Sequence, residues 1–185
     1  MIIAVSVIFL ILIGILTIFA FPRFSPIPYF PSNRKDVPLI LKALDLKNDQ
    51  TIVDLGAGDG LVVFEAAKQA FQKKLHTRFI AVEINPILVF ILHVRRFFHP
   101  NKKSIQIVWR DMFKFNPPAS GKTTKQYNNI TIFLYISPWF LEKTLKQIQT
   151  FDGKKTIVSY YYPIKSLRAN LTVRAGVNPI FVYRI

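Results

Sequence analysis

Apolar and polar residues follow two alternating periods along most of this chain of 185 residues. Short apolar runs predict buried β-strands, whereas apolar residues three or four positions apart predict amphipathic helices. The predicted strands are 51–53, 78–83, 105–109, 130–136, 155–162, 171–174 and 180–184. The predicted helices are 37–46, 61–72, 87–98 and 139–150. Strands that alternate with helices predict an α/β fold, a Rossmann-like doubly wound sheet of seven strands with an antiparallel C-terminal hairpin.

The most apolar stretch is residues 2–21, which carry no charge and contain only Ser6 and Thr17 as polar side chains. As a helix this stretch would be ~30 Å long, which matches the hydrocarbon core of a bilayer. We therefore predict a transmembrane anchor over residues 1–22. Basic residues follow the stretch and none precedes it, so the positive-inside rule predicts a cytoplasmic location for the domain. A cleaved signal and a buried core helix are the alternatives.

Five prolines in residues 22–38 predict an extended juxtamembrane linker over 23–38, with the folded domain over 39–185. Tyr29 lies within this linker. Two interpretations of its segment, 28–32, remain open. It is either a linker with two aromatic side chains at the membrane interface or a segment that folds over a bound cofactor.

Residues 53–60 read as the end of a strand, a turn with three glycines and the start of a helix. Such a turn lets the backbone approach a ligand, and the following helix offers free N–H groups. The dinucleotide fingerprint G-x-G-x-x-G is incomplete, because Leu61 occupies its third glycine position. The candidate ligand-binding residues here are Asp54, Gly56, Ala57, Gly58, Asp59 and Gly60.

This stretch resembles motif I of the class I S-adenosylmethionine (SAM) methyltransferases, D-x-G-x-G-x-G. The resemblance implies that the loop wraps the methionine part of the cofactor and that Asp54 helps to hold its amino end. An acidic residue suits a cationic sulfonium better than a pyrophosphate. A nicotinamide or flavin cofactor, and a turn that binds nothing, are the alternatives.

Two further strand ends carry acidic residues. Glu83, with Ile84 after it, lies where α/β nucleotide sites place a carboxylate for ribose hydroxyls, although Glu83 could instead cap the helix that opens at Pro86. The methyltransferase resemblance implies that Asp111 accepts a hydrogen bond from the adenine amino group and that Met112 lies against the ring. A plain turn aspartate is the alternative for Asp111.

The chain as a whole resembles the small, membrane-anchored lysine methyltransferases that act on the adenine nucleotide translocase and the ATP synthase c subunit. The shared features are the apolar N-terminus, the segment 28–32, the glycine turn, residues 82–85 and Asp111-Met112. The resemblance implies methylation of a lysine in a membrane protein. The loop 117–127 and the residues Ser137-Pro138-Trp139 depart from that group.

A lysine acceptor must lose its proton, which an apolar and aromatic channel favours. Trp139, Tyr160 and Tyr162 are the candidate catalytic channel residues, and ordinary core packing is the alternative for them. Replacing Asp54 or Glu83 by alanine is expected to abolish SAM binding and to leave the fold intact.

The net charge of +15 predicts contact with anionic lipid headgroups, with nucleic acid as the rival partner. Nucleic acid is disfavoured because most aromatic residues fall in predicted strand and helix interiors. Two further interpretations stay open, a small-molecule or lipid methyltransferase and a SAM-binding protein without catalysis. The chain has no cysteine and its three histidines are widely spaced, so no metal site is predicted.

Overall fold

The computed structural model describes residues 5–7, 9–10, 12–14, 17, 29–117 and 129–185. The predicted anchor, 1–22, lies mostly outside these ranges, and residues 23–28 of the predicted linker lie wholly outside them. None of the helices within the described ranges is both long enough and apolar enough to cross a bilayer.

The described elements form in the order that the hydrophobic pattern predicts. The strands are β1 (Thr51–Leu55), β2 (Arg78–Glu83), β3 (Ile105–Trp109), β4 (Asn129–Leu134), β5 (Lys154–Tyr160), β6 (Leu171–Val173) and β7 (Ile180–Arg184). The helices are α1 (Val37–Leu44), α2 (Leu61–Gln72), α3 (Pro86–Phe98) and α4 (Pro138–Gln149). Pro86 and Pro138 stand at the first helical positions, where a missing N–H costs nothing.

The seven strands form one sheet in the order β3-β2-β1-β4-β5-β7-β6. Strands β1 to β5 are parallel, and β7 runs antiparallel to both β5 and β6. This confirms the predicted doubly wound sheet with an antiparallel C-terminal hairpin. The strand order reverses between β1 and β4, and ligands of open α/β sheets bind outside the strand ends at that point.

Successive side chains of each strand point to opposite faces of the sheet, and both faces are covered. Ile52 of β1 packs in a cluster with apolar residues of α1, α2 and α3. Val53 packs on the other face, in a cluster that includes Leu141, Leu145 and Ile148 of α4. Burial on both faces explains why the central strands are almost continuously apolar.

Gly60, the N-cap residue before α2, is a structural residue of this core. Its φ is +79°, and a Cβ built on it would lie 2.5 Å from Cδ2 of Leu92 and 2.7 Å from Cε2 of Phe64. Overpacking and the left-handed backbone together predict that Gly60→Ala lowers the free energy of unfolding by about 2–3 kcal/mol. Denaturant unfolding measures this loss.

Gly56→Ala is the matched control, because Gly56 has a φ of +83° but its built Cβ meets no atom closer than 3.6 Å. The difference between the two variants isolates the packing part of the loss. Equal destabilisation of both would contradict the proposed clash.

Candidate active site

The glycine turn after β1 is tied to the end of β2 by backbone hydrogen bonds. The N–H groups of Gly56 and Ala57 both donate to the carbonyl oxygen of Val82, at 3.0 and 2.9 Å. The N–H of Gly58 donates to Oε2 of Glu83 at 2.8 Å. The turn is therefore shaped by the strand end that carries the second candidate acid.

Tyr29 lies directly on this turn. A Cβ built on Gly58, whose φ is +57°, would lie 2.7 Å from Cε2 of Tyr29, so only a glycine lets the ring come this close. The Tyr29 hydroxyl is hydrogen-bonded to Asp59. Burial, with the negative charge of Asp59, raises the pKa of Tyr29 to about 12. Of the two interpretations of this segment, the geometry matches the one in which it folds over the cleft.

A cleft opens at the carboxyl ends of β1, β2, β3 and β4, and most of the predicted cofactor-binding residues line it. These are Tyr29, Asp54, Gly56, Ala57, Gly58, Asp59, Glu83, Ile84, Asp111 and Met112. Gly60 lies behind the turn, where it contacts Leu92 and Phe64 of the core. The structure thus brings together residues from four separate stretches of the chain.

Asp54 is the most deeply buried acid of the cleft, with 3% of its surface exposed. Burial, and then the like charges of Glu83 and Asp59, raises its pKa to about 8. An isolated carboxylate is unstable in such a place, so the site favours a cationic ligand group. The ammonium of a bound amino acid moiety would supply a positive charge next to the Asp54 carboxylate.

The carboxylate of Glu83 is held by three backbone N–H groups. Its Oε2 accepts from Gly58, and its Oε1 accepts from Ile84 at 2.9 Å and from Asn85 at 2.8 Å. Burial nevertheless raises the pKa of Glu83 above its usual range. A carboxylate has about four acceptor positions, so one remains for a ligand hydroxyl.

The helix cap considered for Glu83 belongs to Asn85 instead. Oδ1 of Asn85 accepts from the N–H groups of Ile87 at 2.9 Å and Leu88 at 3.3 Å. Glu83 is therefore free of a capping role at α3. Its carboxylate instead joins the glycine turn to the end of β2.

Asp111 and Met112 follow β3 on the wall of the cleft. One oxygen of Asp111 accepts from the N–H of Phe113 at 3.0 Å, as in an ordinary turn, and the other oxygen is not used by that contact. Met112 is buried, and its sulfur lies 3.6 Å from a Cβ built on Gly56. An acceptor oxygen beside an apolar side chain fits the edge and face of a purine.

The structure does not bring the three candidate channel residues into the cleft. Trp139 is 83% exposed at the start of α4. Tyr160 is buried, and its hydroxyl donates to Oδ2 of Asp36 at 2.7 Å. Tyr162 is half-buried beside Tyr161. Their predicted role as an acceptor channel gains no support from this geometry.

Four other aromatic side chains line the cleft instead, Phe30, Phe113, Phe133 and Tyr135. In the sequence, Tyr135 is part of the predicted strand 130–136, and no role is predicted for Phe113. The available signal was position, because Tyr135 directly follows β4 and Phe113 lies four residues after β3, both at the carboxyl edge of the sheet.

Arg95 is a further residue whose role the sequence did not reveal. From α3 its Nη1 donates to the carbonyl oxygen of Asp59 at 2.6 Å and to Oδ2 at 2.9 Å. The same guanidinium lies 5.0 Å from the ring centre of Phe64. Arg95 therefore fixes Asp59, and with it the turn on which Tyr29 lies.

Curated proteins and solved structures resemble this chain over most of its length. The human lysine N-methyltransferase of the ATP synthase C subunit is 23% identical over 157 residues, 85% of this chain and 61% of that protein. The mouse protein of the same name is 26% identical over 159 residues, 85% of this chain and 58% of that protein. The chain thus spans about three fifths of the length of these relatives.

Among solved structures, an RNA methyltransferase from Salinibacter ruber in complex with S-adenosyl-L-homocysteine has a TM-score of 0.67 at 21% identity. That alignment covers 84% of this chain and 94% of the other. A putative methyltransferase of Escherichia coli, yhhF, has a TM-score of 0.61 at 15% identity, over 86% of this chain and 89% of the other. These likenesses show the fold.

A family model described as ribosomal RNA adenine dimethylase matches residues 29–158, which include the glycine turn and all the cleft-lining strand ends. The chain therefore belongs to the ribosomal RNA adenine dimethylase family, and the prediction of a class I SAM-dependent methyltransferase is confirmed.

Proposed function

We propose that this chain transfers the methyl group of SAM to a lysine side chain of a membrane protein. The observation that carries the proposal is the pair of buried acids on either side of the glycine turn, Asp54 and Glu83. They line one cleft with apolar and aromatic walls.

The cofactor would be held by the residues at the carboxyl ends of the strands. Asp54 suits the ammonium of the methionine part, and the free acceptor position of Glu83 suits a ribose hydroxyl. Asp111 and Met112 suit the adenine edge and face. When bound, SAM supplies a methyl group on a positively charged sulfur, and the chain's own part is to align the acceptor with it.

The acceptor side of the cleft suits an amine. A lysine side chain has a free pKa of ~10.4, so its deprotonation costs about 4–5 kcal/mol at pH 7. The apolar surroundings of Phe30, Phe113 and Tyr135 would lower the pKa of an entering amine. Arg110, which also lines the cleft, would lower it further because like charges disfavour the ammonium.

The relatives named above as lysine methyltransferases favour this acceptor class. Two observations favour RNA as a second candidate acceptor, namely the description of the matched family and the net charge of +15. The residues that follow β4 argue against RNA as the acceptor. Those that line the cleft, Tyr135 and Ile136, carry no amide oxygen that could accept from a base amino group.

Attachment to a membrane is part of the proposal. The uncharged residues 2–21 have the length and composition of a membrane anchor, and the positive charge of the remainder suits anionic headgroups. The cytoplasmic side follows from the distribution of basic residues.

Incubating the full chain with membranes and methyl-labelled SAM tests the acceptor. We expect label in the protein fraction, released as methyllysine on hydrolysis, and a rate at least tenfold lower for the Asp54→Asn variant because a charged contact to the cofactor is lost. Label in RNA would support the second candidate. Label only in lipid or small molecules, or no label despite measurable SAM binding, would overturn both.

A further inference from the structure

Helix α3 exposes an apolar stripe on the face that points away from the sheet. Phe90, Val94, Phe97 and Phe98 are exposed by 68, 42, 67 and 79%. Their spacing of four, three and one places them on one side of the helix. The inward side is apolar as well, with Leu88, Val89 and Leu92 buried. A helix that is apolar on both sides is normally covered on both.

We propose that this stripe docks onto the surface of an anionic lipid bilayer, as a contact separate from the predicted anchor and independent of the methyl acceptor. Trp109 extends the same surface. It is 66% exposed and stands on the side of β3 that carries Ile105 and Ile107, which pack in the cluster beneath the helices. Its indole N–H donates to the carbonyl oxygen of Ile84 at 2.9 Å, which orients the ring. Exposed tryptophan and phenylalanine side chains favour the headgroup region.

The charges beside the stripe favour lipid over a second copy of the chain. Lys102 and Lys103 are exposed a few residues after α3, and Nζ of Lys102 lies 5.4 Å from the ring centre of Phe97. Among the described residues, two acids lie near α3, namely Asp59, which is paired with Arg95, and Glu65 of α2, which lies near His99. The charged residues around the stripe are therefore mainly basic. Two copies would repel each other there, whereas anionic headgroups would be attracted.

The path of the chain also points to a bilayer. Tyr29, the first residue described after the apolar N-terminus, is hydrogen-bonded to Asp59, and Asp59 is paired with Arg95 of α3 at 2.9 Å. Tyr29, eight positions after the uncharged residues 2–21, thus lies beside α3. A bilayer that holds residues 2–21 would lie within reach of the stripe.

A nitroxide label tests this contact, because the chain has no cysteine and each introduced one is unique. The full chain carrying F97C is labelled and reconstituted into vesicles of phosphatidylcholine with or without phosphatidylglycerol. We expect the label to be accessible to oxygen and shielded from a water-soluble nickel chelate in the anionic vesicles. A label at L171C, an exposed position on the opposite edge strand β6, is expected to remain in water.

Removing the two cations by K102Q/K103Q is expected to lower the docking equilibrium constant by roughly thirtyfold. K154Q/K165Q, which removes the same charge from exposed positions elsewhere, should leave it unchanged.

A water-exposed label at position 97 in both kinds of vesicle would overturn the proposal. So would a label that is shielded without vesicles, or one broadened by a second label, since these outcomes place the chain's own segment or a second copy on the stripe.

Discussion

Replacing Asp54 by asparagine is expected to make the protein more stable and to weaken its binding of SAM by about 10- to 150-fold, the range for a lost hydrogen bond between charged groups. Asparagine keeps the shape of the side chain but cannot ionise. The buried carboxyl of Asp54 has a pKa of about 8, since burial and the negative charges of Glu83 and Asp59 oppose its ionisation. The variant removes the cost of keeping this carboxyl protonated, and it also removes the charged partner of the cofactor's ammonium.

The direction of the stability change follows from which state, folded or unfolded, keeps the proton of Asp54. Below pH ~4 Asp54 is protonated in both states, so it adds nothing to the pH dependence of the free energy of unfolding. Between pH ~4 and 8 the unfolded protein releases this proton while the folded protein keeps it, so the free energy of unfolding falls as pH rises. At pH 7 we expect Asp54→Asn to raise the free energy of unfolding by about 2–4 kcal/mol.

Denaturant unfolding from pH 4 to 8, with and without S-adenosylhomocysteine, measures both effects. The ligand should stabilise the natural protein and have little effect on the variant. Asp45→Asn is the control, because Asp45 is exposed beside Lys47 and should change little. Unfolding curves for Asp54→Asn with the same pH dependence as the natural protein would contradict the pKa assigned to this carboxyl.

The fold and the cofactor side of the cleft could be predicted because the signals are local. The strand, turn and helix around the three glycines are adjacent in sequence, and the parallel sheet brings residues after each strand to one edge. Asp54, Glu83 and Asp111 therefore reach the same cleft without any knowledge of side-chain packing. Their positions relative to the strand ends were sufficient to predict that they line the same cleft.

The acceptor side could not be predicted, because it depends on long-range packing. Tyr160 ends β5 as a plausible channel residue, yet its hydroxyl donates to Asp36. Asp36 also accepts from the N–H groups of Val177 at 2.7 Å and Asn178 at 3.0 Å. Nothing in the sequence near Tyr160 indicates an acceptor 124 positions away. For the same reason Arg95 reads as a helix-terminal cation, although it holds Asp59.

Glu83→Ala, in contrast to Asp54→Asn, is expected to destabilise the protein while it too removes cofactor binding. The sequence alone predicts an intact fold for this variant. In the structure, however, the carboxylate of Glu83 is the acceptor for the N–H groups of Gly58, Ile84 and Asn85. Alanine leaves these groups without that acceptor in a largely buried place, which costs more than the relief of burying a charge.

We expect Glu83→Ala to lower the free energy of unfolding by about 1–3 kcal/mol and to weaken S-adenosylhomocysteine binding more than a single lost hydroxyl contact would, because the turn at Gly58 loses its tether. Calorimetric titration and denaturant unfolding give the two values, and Glu83→Gln, which keeps one acceptor oxygen, should fall between. Glu142→Ala is the control, because Glu142 also accepts from a backbone N–H, that of Ser166, but does not line the cleft. If Asp54→Asn stabilises the protein and Glu83→Ala destabilises it, while both weaken cofactor binding, then Asp54 serves only to bind the ligand. Glu83 would in that case bind the ligand and also shape the turn. Destabilisation of equal sign at both positions would mean that the two acids share one structural role.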